Sequence, residues 1–310
     1  MEVVSLFSGI GGLDKGFADA GFNIVWANDF DKYAVQTYKV NYDNEIVLGD
    51  INEIHLSEIP DCDILIGGFP CQAFSMMGEQ RGFEDARGTL FFRIAEIIKN
   101  KIEKGKKPRA VILENVRALR THDKGRTYET IKRILEDDLG YKVFADVLNS
   151  ADFGIPQTRN RTYIVCFANK EAEFRHPDGK PLELSLQDLL EHDVKEKYFL
   201  SERILPTILS DGTGGYKAKS EIDLKVARPL CATMAKMHRA CQDNYVTQKG
   251  KIRRLTPREC ARLQGFDDSF VIPVSDSQAY KQFGNAVTVN VSYAVAESVK
   301  DTLIALGEWY

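Results

Sequence analysis

The stretch Gly67-Gly68-Phe69-Pro70-Cys71-Gln72-Ala73-Phe74-Ser75 places a thiol just beyond an apolar run, Ile64-Leu65-Ile66. That run reads as a buried strand, so the thiol comes where the strand stops. The two glycines allow a sharp turn and close approach of another molecule to the backbone. Pro70 fixes its own φ and restrains Phe69, which directs the side chain that follows. A thiolate held there can add to an electrophilic carbon. A lone cysteine is more often a small apolar side chain under a loop, so the neighbours of Cys71 must decide its reading.

Two more chemical groups stand at strand ends. Residues 110–113 are apolar and run into Glu114-Asn115-Val116, where a carboxylate beside a nucleophile loop would meet a ligand in apolar surroundings. Taken alone, such a Glu is more often a helix-capping or solvated acid. Gly154-Ile155-Pro156-Gln157-Thr158-Arg159-Asn160-Arg161 leads into a strand at 162–167. Arg159 and Arg161 share one side of that extended segment, which suits phosphate or carbonyl contacts or a pair of edge-strand cations.

The elements that must position these groups alternate strand and helix. Residues 3–7 are strand-like and run into Ser8-Gly9-Ile10-Gly11-Gly12, then a helical pattern with Leu13, Phe17 and Ala20 on one face. A second strand, 24–27, ends at Asn28-Asp29-Phe30. The unit fits a nucleoside pocket, with the loop approaching the ligand and Asp29 accepting from ribose hydroxyls, or a tight βα turn with a helix-flanking Asp. The glycines at 9, 11, 12 and 16 are not the usual Gly-x-Gly-x-x-Gly of nicotinamide dinucleotide sites, and the spacing leaves the nucleoside open. Asp50, after strand-like 46–48, fits an adenine-amino acceptor or a turn aspartate. Residues 77–88 form a polar, glycine-bearing stretch suited to a lid or a surface loop.

The βα rhythm continues through a helix at 90–98, a helix around 128–135 and a strand at 143–148, then stops after Phe167. Residues 169–250 are polar and proline-punctuated, which predicts a smaller domain of irregular β content. Within it, Lys236, Met237, His238 and Arg239 gather donors and apolar groups. Between Lys249 and Arg262 stand six basic residues and one acid, a solvated charged face or a nucleic-acid contact. Thr256-Pro257 opens a helix that Gly265 closes. A last helix carries Val287, Val291, Val295 and Val299 on one face, so the C-terminus is expected back on the first domain.

At 310 residues and 44% apolar content the chain can bury a substantial core. Its six cysteines include no Cys-x-x-Cys pair, which argues against a zinc site or a disulfide framework. No apolar run approaches membrane-spanning length and no basic leader opens the chain, so a reducing cytosolic setting is the expectation. The net charge of −4 does not advertise a nucleic-acid binder, but clustered cations escape that measure.

The ordered motifs resemble the cytosine-C5 DNA methyltransferases of bacterial restriction–modification systems. The matching pieces are Ser5–Gly12, Gly67–Ser75, Glu114–Val116, Gln157–Arg161, Arg254–Arg262 and Gly284-Asn285, in the family's order from residue 3 to 291. One departure is Ser5, where many members carry Asp. The resemblance implies an α/β fold of the S-adenosylmethionine-dependent methyltransferase (Rossmann-like) kind, a mixed sheet with helices on both faces, plus a smaller β-rich target-recognition domain. The implied boundaries are 1–168 completed by 276–310 for the catalytic domain, and 169–275 for target recognition.

The family also implies roles. S-adenosylmethionine is the methyl donor, with S-adenosylhomocysteine as product and no metal. Phe7, Ser8, Gly9, Ile10, Gly11, Gly12, Asp29, Phe30, Asp50, Ile51, Pro70 and Asn285 fall on its cofactor positions. Cys71 would add to C6 of a flipped cytosine, Glu114 would serve N3 and the amino group, and Arg161 would serve O2, with Arg159 grouped beside them. Gln72, Ser75, Arg87, Lys236, Met237, His238, Arg239 and Arg254 would touch DNA. Arg159 and the run 249–262 would track its phosphates. The implied partner is double-stranded DNA, acted on by a cytoplasmic monomer, with any cognate endonuclease a separate protein. Rival readings are tRNA cytosine methylation, a nicotinamide-dependent oxidoreductase and a catalytically dead DNA-binding module. The target sequence is not written in these residues.

Overall fold

The apolar runs near residues 3, 64 and 110 become neighbouring strands whose interior residues are buried on both faces, as parallel strands demand. A computed structural model of the chain describes residues 1–70, 90–210, 221–236, 238–239 and 242–309. Its elements begin β1 (Glu2–Leu6), α1 (Gly12–Asp19), β2 (Asn23–Asp29), α2 (Lys32–Lys39), β3 (Glu45–Leu48) and β4 (Ile64–Gly68). They continue with α3 (Leu90–Glu103), β5 (Ala110–Val116), α4 (Arg126–Arg133), β6 (Lys142–Asn149) and β7 (Asn160–Phe167). Among the described residues these seven strands form one mixed sheet in the order β3-β2-β1-β4-β5-β7-β6. The pairs among β1 to β5 are parallel, and β7 lies antiparallel to β5.

The order reverses between β1 and β4, the place where open α/β sheets leave a crevice beyond their carboxyl ends. Register brings those ends level: Leu6 pairs with Gly67, and Gly68 with Glu114. The loop after β1 and the Phe69-Pro70 turn after β4 therefore emerge side by side.

The chain divides into two compact units. The first comprises Met1–Leu148, Asn160–Pro177 and Val291–Tyr310. Its core packs Leu65, Ile94, Ile98, Val111, Leu113 and Ile164, all at most 1% exposed. The helix α8 (Val289–Ala305) supplies its last part, with Ser292 Oγ donating to the Leu13 carbonyl at 2.7 Å and Lys300 Nζ to that of Ala20 at 3.0 Å. The expected return of the C-terminus to the first domain is thereby seen from Val291 onward among the described residues.

The second unit comprises Asn149–Arg159 and Asp178–Asn290. It holds α5 (Leu205–Leu209), a hairpin of β8 (Tyr245–Gln248) and β9 (Lys251–Arg254), α6 (Pro257–Arg262) and α7 (Asp276–Asn285). The division differs from a boundary at 168, because residues 149–159 and 276–290 lie in this unit. A bridge between Gln157 and Ala227 helps to hold the first of these pieces there.

In the basic run, Lys249 and Lys251 are exposed, whereas the four arginines are bonded within their own unit. Arg253 and Glu259 are both 0% exposed and pair through two hydrogen bonds, at 2.7 and 2.8 Å. Glu259 also accepts from the Thr256 N–H in a capping box that starts α6. Arg254 donates to the Met234 carbonyl with its guanidinium 4.6 Å from the Tyr280 ring centre. Arg258 donates to the carbonyls of Asp267 and Phe270, and Arg262 grips Asp268. The run folds as a hairpin arm and a capped helix, so these four guanidinium groups bind the unit's own acceptors.

Candidate active site

Of the residues expected around the cofactor, those from Phe7 to Ile51 lie at the carboxyl ends of β1, β2 and β3. Phe7 leaves β1 with φ +56°, a left-handed conformation that a bulky side chain seldom adopts. Gly11 at φ +81° then caps α1; a Cβ there would come within 2.4 Å of the Tyr42 ring, so this position demands glycine. The Tyr42 hydroxyl donates to the Gly11 carbonyl at 3.0 Å and closes the loop from the other side. Ser8, Ile10, Gly11 and Gly12 are buried, and Gly9 is half-buried.

Asp29, at the end of β2, is buried and accepts from the Gly9 N–H at 2.8 Å and the Asp31 N–H at 2.8 Å. The carboxylate that was expected to meet ribose thus also fixes the glycine loop. Its neighbour Phe30 is 72% exposed, an aromatic face left open beside a buried acid. Asn28 donates to the carbonyls of Val47 and Gly49 at 3.0 and 2.9 Å, which draws the end of β3 alongside. Asp50 follows there, exposed, with its Oδ1 accepting from Asn52, and Ile51 is buried.

A second layer supports the loop. Ser8 Oγ donates to Ser5 Oγ at 2.9 Å, Ser5 Oγ to Asp14 at 2.7 Å, and the Tyr38 hydroxyl to the other Asp14 oxygen at 2.7 Å. Ser5, the departure from the family pattern, is therefore the middle of a buried hydroxyl–carboxylate chain. Burial pushes the Asp14 carboxyl up to about 6, against lowering by the Tyr38 and Ser5 hydroxyls.

At the end of β5, Glu114 is buried and its Oε1 lies 3.1 Å from Arg161 Nε. Antiparallel register sets this up, since Glu114 pairs with Tyr163 and Val116 with Arg161. The structure thus brings together the carboxylate and the arginine expected at the reacting base. Pro70 is exposed at the end of the β4 turn. Cys71, Gln72, Ser75, Arg87 and Met237 lie outside the described residues.

Two positioning residues escaped the sequence reading. Asn115 Nδ2 donates to the Phe69 carbonyl at 2.8 Å and so anchors the turn that leads to Pro70 and Cys71. Its only signal was its place beside Glu114. Arg93 on α3 donates to the carbonyls of Ile51 and Ile54, at 2.9 and 2.5 Å, fixing the loop after Asp50. A cation on an amphipathic helix carries no sequence sign of that role.

The other expected site residues belong to the second unit. Arg159 is 1% exposed, with its guanidinium donating to main-chain carbonyls of Leu230, Gly284 and Ala286. The expectation that it tracks phosphates is corrected by that burial. Asn285 is exposed at the end of α7. Lys236 is exposed, while His238 and Arg239 are half-buried; the Arg239 N–H donates to Asp243 and His238 stacks on Tyr245. Burial and the nearby Arg254 charge push the His238 imidazole below its usual range. Among the described residues, no helix is long and apolar enough to cross a membrane.

Residues 1–301 match the family described as C-5 cytosine-specific DNA methylase. The type II methyltransferase M.NlaX of Neisseria lactamica is 42% identical over 321 residues, covering 99% of this chain and 98% of its own. M.HhaI of Haemophilus parahaemolyticus is 40% identical over 322 residues, covering 98% and 95%. Among solved structures, the S. pombe Dnmt2 methyltransferase is similar with a TM-score of 0.78 at 22% identity, covering 99% of each chain, a likeness of fold.

Proposed function

We propose, for a chain that belongs to the C-5 cytosine-specific DNA methylase family, a base-flipping route with Cys71 as nucleophile. The protein is a DNA cytosine-C5 methyltransferase of the type II kind. The observation that carries the proposed route is the Glu114–Arg161 pair, 3.1 Å apart at the end of β5. Beside it in sequence, Asn115 anchors the turn from which Pro70 and Cys71 follow.

The residues around β1 to β3 fit S-adenosylmethionine. Gly9 gives a point of open main chain in the loop, Asp29 a fixed carboxylate for ribose hydroxyls, and Phe30 an open aromatic face for adenine. Asp50 would accept from the adenine amino group, and Phe7, Ile51, Pro70 and Asn285 complete the set carried over from the family. When bound, this cosubstrate supplies an electrophilic methyl group.

Cytosine C5 is a poor nucleophile, and inside a stacked duplex its neighbour C6 cannot be reached, so the base is flipped out. The Cys71 thiolate adds to C6, forming the C–S bond and leaving an enamine-like ring whose C5 carries the electron pair. Charge that develops at N3 and O2 is met by Glu114, through a shared proton, and by the Arg161 guanidinium. After C5 is methylated, its proton passes to water, the C6–S bond breaks and the thiolate leaves.

The second unit is assigned to target recognition, with Lys236, Met237, His238 and Arg239 reading base edges. Gln72, Ser75 and Arg87 would contact the DNA around the flipped base. The same reading makes the protein a cytoplasmic monomer, with any endonuclease of matching specificity a separate protein. Nucleoside mass spectrometry on unmethylated genomic DNA and on tRNA, each incubated with protein and S-adenosylmethionine, tests it. 5-Methylcytosine in DNA is expected; modification confined to tRNA would overturn the substrate.

A further inference from the structure

Arg159 and Gln157 take no part in the route above, yet both lie wholly inside the second unit, 1% and 0% exposed. A guanidinium is buried only where strong hydrogen bonds offset its desolvation. Arg159 donates from Nη1 to the Leu230 carbonyl at 3.1 Å, and from Nη2 to those of Gly284 at 3.1 Å and Ala286 at 2.7 Å. Gln157 completes the grip: its Oε1 accepts from the Leu230 N–H at 2.8 Å, and its Nε2 donates to the Leu263 carbonyl at 2.6 Å. Both main-chain groups of Leu230 are thus held by side chains two residues apart.

What the grip joins is informative. Leu230 immediately precedes the segment 231–239. Gly284 and Ala286 flank Asn285, which is exposed at the end of α7. The last carbonyls of a helix lack partners within it and carry the negative end of its dipole, so a fixed cation suits them. Gly284 allows no intervening side chain: a Cβ there would lie 2.2 Å from Ala232 N and 2.3 Å from Cys231 C. The two segments meet backbone to backbone, and the arginine fork spans the seam.

We infer that Arg159 is a positioning residue whose buried fork locks the start of the 231–239 segment to Gly284-Asn285, so that target choice depends on it. The inference rests on the reading of 231–239 as the base-reading segment. Lysine cannot replace the fork, since one point charge on a flexible stem does not hold three carbonyls in fixed directions.

The test compares Arg159→Lys and Gly284→Ala with the wild-type full chain. Conversion sequencing of methylated DNA gives the ratio of methylation at the preferred sequence to that at its one-base neighbours; kcat, KM for DNA and Tm are measured alongside. In Arg159→Lys the ratio is expected to fall about tenfold and KM to rise about as much, while kcat stays within about threefold. Gly284→Ala keeps the guanidinium but pushes on Cys231-Ala232, and shifts the ratio the same way; it decides alone if the lysine variant does not fold. A fall in kcat with ratio and KM intact would make Arg159 a donor to the reacting base and overturn the inference. So would a lowered Tm with an unchanged site pattern. Arg239→Ala checks the premise separately: an unaltered pattern there would remove 231–239 as the base reader, whatever Arg159→Lys shows.

Discussion

The carboxyl ends of β1 to β5 and the arginines of residues 253–262 both direct polar side chains at main-chain groups, with opposite results. At the strand ends, Asn28, Asp29 and Asn115 each hold a neighbouring loop and leave a face open, marked by Phe30 and Asp50. In the arginine run the bonds turn inward, and Arg253 ends fully buried against Glu259. The difference lies in what the side chain's chemistry is left to do after folding. A polar residue at a strand end fixes the frame around a ligand, whereas a cation whose donors are all engaged internally is part of the frame.

The sharpest way to break this contrast is Arg253→Ala. It would leave Glu259 buried without its bidentate partner, and a loss of about 3–5 kcal/mol is expected from urea unfolding. Replacing both residues by apolar ones of similar volume should recover most of that. Unaltered stability in the single variant would return Arg253 to the DNA-facing set.

Asp14, beneath the glycine loop, gives a pH test of the strand-end side. A carboxyl raised from 3.8 to about 6 in the folded protein contributes stability that is full below pH 4 and lost as pH rises through about 6. Stability measured from pH 4 to 8 should therefore fall by up to roughly 3 kcal/mol more in the wild type than in Asp14→Asn. Parallel curves would contradict the buried, hydroxyl-partnered carboxylate.

Asp29→Ala removes the acceptor for Gly9 and, in the proposed cofactor site, the one for the ribose. S-adenosylmethionine affinity, measured by calorimetry, should fall by about 1.5–3 kcal/mol, with DNA affinity unaltered. At the other extreme stands Lys251→Ala. Lys251 is exposed and paired with Glu196, and its loss should cost less than about 0.5 kcal/mol.

Which parts were legible follows from the same contrast. The continuous apolar runs at 64–66 and 110–113 dictated buried parallel strands, and glycines with a following acid marked what lies at their ends. Glu114 and Arg161 could be paired in expectation because both stood at strand ends and one family frame held them. The partners of Arg159, Arg253 and Arg254 could not be foreseen. Those partners are carbonyls and a carboxylate supplied by the unit's own fold, and a carbonyl has no side-chain signature. Residues 149–159 were hidden for the same reason, since a main-chain bridge to Ala227 leaves no pattern in side-chain type.

The proposed route turns on the bond between Cys71 and C6 of the target base. Its most direct measurement is intact mass after incubation with S-adenosylmethionine and duplex DNA carrying 5-fluorocytosine at the methylated position. Fluorine cannot leave C5 as a cation, so the final elimination is blocked. The route through Cys71 predicts a stable protein–DNA adduct that peptide mapping places on Cys71 and that Cys71→Ser does not form. Full methyl transfer by Cys71→Ser on ordinary DNA, or turnover by the wild type with no adduct on the fluorinated duplex, would contradict it.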